Sequence, residues 1–450
     1  MADFVSSYIE QLIAENKRLK ENDSQSVDTL YGPSSPLPRR HKDFGGMNLT
    51  PMMTATTHVP VNVGTVEECA VQNPLVDQQA RFVTHSGIQV YIGEANCTSF
   101  SSRLRQVVLS TTEETYVIRT HFVEDSTILE ACNSITPLPP RPVASMLMES
   151  AFNTIGQCFH LTRKSIARRN LDRAYQGPPI LEVDMCIIYA LLALGEMFSP
   201  SQGRGNTSTF PGLSYWANVR QLMRVVPERP SIEHVEISVM TALYCLSMNR
   251  RYSAYREIGA ALRQSINIGL HQKFKDGTRD AATREHRKRV FWCVYNVDRM
   301  IASKSGYPAS IQSDEIEVDF PDDKGLNDLE LGDLFNTNYH NASLRLGRLV
   351  GRTTYYVYSR VHFGLSFFKR VQSVFSDLSS WLHTLPKDLE LPAESAAHAP
   401  QHIIALHLAF NQVSLHPEFT SLDADCVVRH SCNTTYPSSP IPHDSSLLEE

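Results

Sequence analysis

Residues 231–272 read SIEHVEISVMTALYCLSMNRRYSAYREIGAALRQSINIGLHQ, and after a short loop residues 284–321 read REHRKRVFWCVYNVDRMIASKSGYPASIQSDEIEVDFP. The apolar spacing in this stretch predicts three helices. Val235, Val239, Ala242 and Leu246 recur at gaps of four, three and four. Tyr255, Ile258, Leu262 and Ile266 follow the same rule, as do Val290, Val294, Val297 and Ile301, with Phe291 widening the last stripe. Gaps of three and four place side chains on one helix face, so each helix has one face to bury. The punctuation agrees. Pro230 and Ser231 precede the first helix, with Glu233 and Glu236 near its N-terminal end. Gly269 closes the second before a turn at Leu270 and His271, and Asp280 or Thr283 caps the third. Lys304, Gly306 and Pro308 then form a stop signal.

The same residues carry a resemblance. GAALRQSINIGLH resembles the first signature of the fungal-specific transcription factor domain, with Gly259, Arg263 and Gly269 filling it. RKRVFWCVYNVDRMIASKSGYPASI resembles the second, through Arg289, Trp292, Tyr295, Asp298, Arg299, Gly306 and Pro308. Lys288 stands where that family usually has the first arginine of a pair, and Tyr307 where arginine or histidine is common. This domain is the middle regulatory region of the fungal binuclear zinc-cluster regulators, within which a likeness to the proline-utilisation activators stays open. The resemblance implies an all-α regulatory domain, nuclear location, control of transcription, partners in the transcription machinery, a homodimer, and in some members a small-molecule inducer.

The totals bound the class. A chain of 450 residues with 42% hydrophobic and 20% charged content has the make-up of a soluble globular protein. A formal charge of −6 gives no whole-chain attraction to nucleic acid or to acidic membranes. The nine cysteines are scattered, none in a C-x-x-C pair, and together with the lack of a secretory leader they point to reduced thiols in the cytosol or nucleus. The apolar run Met185–Phe198 contains Glu196 and is too short to cross a bilayer, so it is expected to be a core helix.

Along the chain, residues 1–21 fit a coiled-coil dimerisation segment: Val5, Leu12 and Leu19 take d positions, and Ile9 and Asn16 take a. An asparagine at one a position fixes register and favours two strands. An ordinary surface helix is the competing reading, and the family resemblance, in which a short coiled coil follows the zinc cluster, favours the dimer. Residues 22–80 read as a flexible linker rich in Ser, Thr, Pro and Gly, with a basic run Arg39–Lys42 that is either solvated or an import signal. A helical regulatory domain is expected over 81–416, its core over about 143–392. Within it Thr115–Val123 alternates as a strand, further helices cover 146–159, 183–199 and 213–226, and residues 312–333 form an acidic loop. One or two long helices then run from Leu344 to Phe375, and LHLAFNQ at 406–412 resembles a family helix. Residues 417–450 are polar, without period, and read as a disordered tail.

Catalytic signatures are absent: there is no G-x-S-x-G, H-E-x-x-H, P-loop or dinucleotide glycine motif, so no enzyme is expected. Asp319, Asp322 and Asp323 read as a solvated loop, and His398 with His402 as an incidental pair rather than a metal site. Arg289, Trp292 and Arg299 share a helix face beside Asp298, which predicts guanidinium stacking on the indole and a partly buried ion pair. The six-cysteine pattern with which the family holds two zinc ions and reads DNA is missing from these residues. No cofactor is therefore expected in this chain, and DNA contact is expected only through a cluster that it lacks or that a partner supplies. The rival reading is an interaction protein that pairs with and restrains a complete zinc-cluster regulator.

Overall fold

The computed structural model describes residues 81–85, 88–93, 95–96, 99, 122–177, 179–199, 210–225, 227–273, 279–359, 364–365, 367–391 and 399–420. Among these residues the fold is all-α apart from one hairpin, in which β1 (Arg81–His85) pairs antiparallel with β2 (Ile88–Ile92), Phe82 facing Tyr91. Twelve helices follow: α1 (Asp125–Ala131), α2 (Arg141–Asn153), α3 (Lys164–Gln176), α4 (Glu182–Phe198), α5 (Leu213–Leu222) and α6 (Ile232–Ser247), then α7 (Arg251–Asn267), α8 (Ala281–Ser305), α9 (Asp328–Asp333), α10 (Thr337–Tyr358), α11 (Phe367–His383) and α12 (Gln401–Thr420).

The three helices of the deciding stretch are α6, α7 and α8. Val235, Val239 and Ala242 are buried on α6, and Val290, Val294, Val297 and Ile301 on α8. On α7 the stripe holds at Ile258 and Leu262, but Ile266 is 39% exposed. At the start of α6, the Ser231 N–H donates to His234 Nδ1 at 3.2 Å, so a histidine fills the place a glutamate usually takes in a capping box. All three helices end alike, with one residue in the left-handed region: Asn249, Gly269 and Gly306 at φ 56°, 70° and 69°. The next N–H then reaches back to Cys245 O, Ser265 O and Ala302 O, each at 2.9 Å.

Among the described residues two larger cores are built from these helices, beside a small cluster of Ala95, Val357, Tyr358, Phe367 and Val371. The larger runs through α2 to α8, where α4 is buried along Cys186–Gly195 because α2, α3, α5 and α6 surround it. Each fully buried aliphatic side chain there contributes about 1.5–3 kcal/mol. The smaller core joins α10, α11 and α12 around Trp381, Leu378, Leu406 and Val413. Helix α10 serves both, with Leu344 in the larger core and Leu346 in the smaller.

Several expectations are revised. Helices α1 and α3 and the short α9 were not foreseen, and α9 interrupts the stretch expected to be an acidic loop, as does a 3-10 turn at Ser313–Glu315. The span Leu344–Phe375 divides between α10 and α11. Phe122 and Val123 are not in a strand, and the rest of the strand expected from Thr115 lies outside the described residues. The coiled coil of 1–21, with Val5, Ile9, Leu12, Asn16 and Leu19, also lies outside them, as do the linker of 22–80 and residues 421–450. No helix among the described residues is long and apolar enough to cross a membrane.

Candidate functional site: the signature helix and its returning loop

Helix α8 carries most of the signature and buries it. Arg289 has no solvent exposure. Its Nη1 donates to Glu285 Oε2 at 2.8 Å, one turn back on the same helix, and its Nε to Phe335 O at 3.2 Å. Its Nη2 donates to Asp323 Oδ1 at 2.9 Å and to Thr337 Oγ1 at 2.7 Å. Burial pushes the guanidinium pKa down, and Glu285 and Asp323 act against that shift. Planar multidentate geometry of this kind is what arginine supplies and lysine does not.

Trp292 is also fully buried, and its Nε1 donates to Asp319 O at 2.9 Å. Phe291, Tyr295 and Phe320 meet its ring edge-on at centroid distances of 5.4, 5.3 and 4.9 Å. The cation over the indole is Arg348 of α10, 5.4 Å from the ring centre, rather than Arg289. The acceptors account for this correction: Glu285, Phe335 O, Asp323 and Thr337 hold the Arg289 guanidinium away from the indole, which faces Asp319 O and Phe320. Tyr295 instead receives Arg299, at 4.8 Å.

Asp298 accepts from Ser310 Oγ at 2.6 Å and Ser310 N–H at 3.3 Å, while Arg299 donates to Ile311 O. Burial pushes the Asp298 carboxyl up, and the Ser310 bonds hold against it. Glu285 further accepts from the Asp322 N–H at 3.1 Å. Together, side chains of α8 grip the backbone of the loop returning from 307 to 323. The acidic loop is thus only partly solvated. Asp319 meets Lys273 at 3.1 Å in the open, but Asp322 meets Lys288 at 3.4 Å and Asp323 closes on Arg289.

On the first signature, Arg263 lies exposed with Nη1 3.1 Å from Gly259 O, and Gly269 supplies the left-handed cap. Gly306 caps α8 and also touches the hairpin, since a Cβ there would lie 2.7 Å from the Gly93 backbone. Tyr307 explains its own departure from the family pattern: it stacks on Tyr91 of β2 at 6.4 Å and packs on Tyr255 of α7 at 4.8 Å. Pro308 is exposed just beyond.

Behind α8 lies a second buried polar group that the sequence did not suggest. His160 Nε2 lies 2.9 Å from His286 Nδ1, and His286 Nε2 lies 3.3 Å from Glu236 Oε1 on α6. Burial, then Arg163, depress the His286 pKa to about 3, and burial, then Arg289, depress His340 to about 3. Burial holds the Glu236 carboxyl well above the usual carboxylate range. No group of three His, Cys, Asp or Glu among the described residues is placed to hold a metal ion. The arrangement supports packing.

The fungal specific transcription factor domain matches residues 153–395, more than half of the chain. The chain belongs to that family. It is similar to an uncharacterized transcriptional regulatory protein of Schizosaccharomyces pombe, 26% identical over 56% of this chain and 33% of the relative. It is also similar to Activator of stress genes 1 of Saccharomyces cerevisiae, 24% identical over 62% of this chain and 31% of the relative. An ABC-transporter-regulating transcription factor of Aspergillus fumigatus is 22% identical over 61% of this chain and 32% of its own length. The chain thus spans about a third of the length of these curated relatives. No solved structure matches it. The fungal transcription factor family and these relatives are regulators of transcription, not enzymes.

Proposed function

We propose that the chain is the regulatory and dimerisation part of a nuclear fungal transcription factor acting on transcription by RNA polymerase II. DNA contact is made through a binuclear zinc cluster that these 450 residues do not contain, whether carried by a longer form of the chain or by a partner. One observation carries this reading: the basic run on the signature helix is tied to protein groups, with Arg284 alone exposed. Arg289 is wholly buried, Lys288 pairs with Glu285 at 2.5 Å, and Arg287 donates to Ile268 O at 3.2 Å. Phosphate contacts need cations that face solvent, so this helix is a poor DNA reader. Association through Val5, Ile9, Leu12, Asn16 and Leu19 pairs two copies, and a small-molecule inducer and the transcription machinery are the remaining partners.

The second reading is a partner that pairs with and restrains a cluster-bearing regulator. The test is a DNA-binding titration at physiological salt. The chain as written should bind weakly, without sequence preference, and lose affinity steeply with added salt. A zinc-cluster segment fused ahead of Met1 should bring site-specific binding. Tight, selective binding by the unfused chain would overturn the reading. Co-purification with itself or with a cluster-bearing protein separates the two alternatives.

A further inference from the structure

A cavity of about 560 Å³ lies where the two cores meet, between the last turn of α8 and the α10–α12 pair. Its wall is largely carbon, with Phe159, Leu243, Met300, Leu346, Val350 and Leu406 among its lining. Lys304 is the one charged residue among the described lining, and no carboxylate takes part in it. The polar side chains there are mostly committed to protein partners. Asn296 Nδ2 donates to Ser343 Oγ at 2.7 Å, Thr354 donates to Val350 O at 2.9 Å, and Cys158 bonds with Tyr339. Thr353 is different. It is 3% exposed and lines the cavity, while its Oγ1 is turned away from open space and has no hydrogen-bond partner.

A buried hydroxyl without a partner is costly, so it marks a place where a ligand group or a water completes the structure. The volume lies in the range of small-molecule pockets, about 300–1,000 Å³. A helix 10–12 Å across would fit for only about one turn, leaving its ends unpaired, so a peptide is a poor occupant. A wall without carboxylates gives a cation no counter-charge, and a carbon wall makes burial of any charge unfavourable.

We propose that this cavity binds a neutral, largely apolar small molecule whose hydroxyl or carbonyl pairs with Thr353 Oγ1 once that side chain turns to its other helical rotamer. The ligand touches the larger core through Leu243 and Met300 and the smaller through Leu346 and Leu406, so its binding clamps α12 and α10 against the signature helix. This rests on the regulatory reading, in which such a clamp is the input.

The test uses the full chain with Nile red, a neutral apolar carbonyl dye, as the probe. Its fluorescence should saturate at one site per chain and be reversed by 1-octanol at lower concentration than by octylammonium. Ala409→Trp, at an exposed position on the cavity wall, should abolish the signal without unfolding the protein. Thr353→Val should weaken both ligands by about 2- to 10-fold, while Thr353→Ser, which keeps the hydroxyl, should not. Dye binding that survives Ala409→Trp would overturn the site. Equal binding by Thr353→Val, or equal displacement by octylammonium, would overturn the ligand class. A transcription reporter driven by the chain fused behind a zinc-cluster segment is read separately, so Ala409→Trp that loses dye binding with output unchanged overturns the clamp as an input and leaves the site standing.

Discussion

Arg289 of α8 and Asp323 of the returning loop meet at 2.9 Å, the arginine wholly buried and the aspartate 49% exposed at its side chain. The pair thus reaches from the interior to the surface, and the same guanidinium holds Glu285 and the start of α10. One side chain therefore fixes the relative positions of three segments.

Arg289→Met should cost about 3–5 kcal/mol in denaturant unfolding, because buried Glu285 loses the guanidinium and keeps only Lys288 and the Asp322 N–H. Adding Glu285→Gln should recover part of that loss. Arg289→Lys should not restore full stability, since an ammonium cannot reach the same four acceptors. Equal stability of the lysine variant would show that charge alone matters here.

Trp292→Ala should cost about 3–5 kcal/mol, the range for emptying a large buried aromatic site. Trp292→Phe should cost less, retaining the ring contacts but leaving Asp319 O without its donor. An unchanged melting point in the alanine variant would contradict the central place of this ring.

Protonation behaviour follows from the buried histidines. His286 and His340 titrate in the folded protein at about 3, below their usual 6.5. Depressed histidine values mean that the unfolded chain takes up protons first. Their stabilisation is thus present above pH 6.5 and falls as pH drops toward 3, by up to about 1.4 kcal/mol per pH unit for each group. Glu236 works the other way, since its raised pKa gives stability below pH 4.5 that is lost as pH rises. Melting curves from pH 7 to 5 should show a steep acid loss that His286→Gln flattens. Glu236→Gln should raise stability at neutral pH.

Asn16→Val should tighten self-association while relaxing its limit to two strands, if Asn16 occupies an a position. Removal of residues 1–21 should shift the chain toward monomer in sedimentation. A truncated chain that remains the same dimer would place the dimer interface in the helical domain.

Helices α6, α7 and α8 were legible because each couples a regular apolar stripe to a local stop. Helix α3 was not, since KSIARRNLDRAYQ buries only Ala167, Asn170 and Leu171. Its N-terminal end is also capped from afar: Asp333 of α9 accepts from the Ser165 N–H at 2.5 Å and from Arg163 at 2.8 Å. No local reading sees a cap 168 residues away. Helix α9 did carry a local signal, the Asn327–Glu330 capping box, obscured by the acidity around it. At the signature, burial of Arg289 and Trp292 could be read from helix spacing, but their partners could not. Asp323, Arg348 and Phe320 reach them only through the path of the loop and the crossing of α10 over α8.

The contact between Gly93 and Gly306 gains meaning beside the cavity. Ser303 and Lys304 of the last turn of α8 line the cavity, and so does Ala95, two residues after Gly93. A Cβ on Gly93 would lie 1.8 Å from Gly306 O, so main chain rests directly on main chain. Where side chains meet, rotamer changes take up slack; here no side chain stands between the two strands of backbone. A shift at the end of α8 therefore acts on the hairpin as on a rigid linkage, without play.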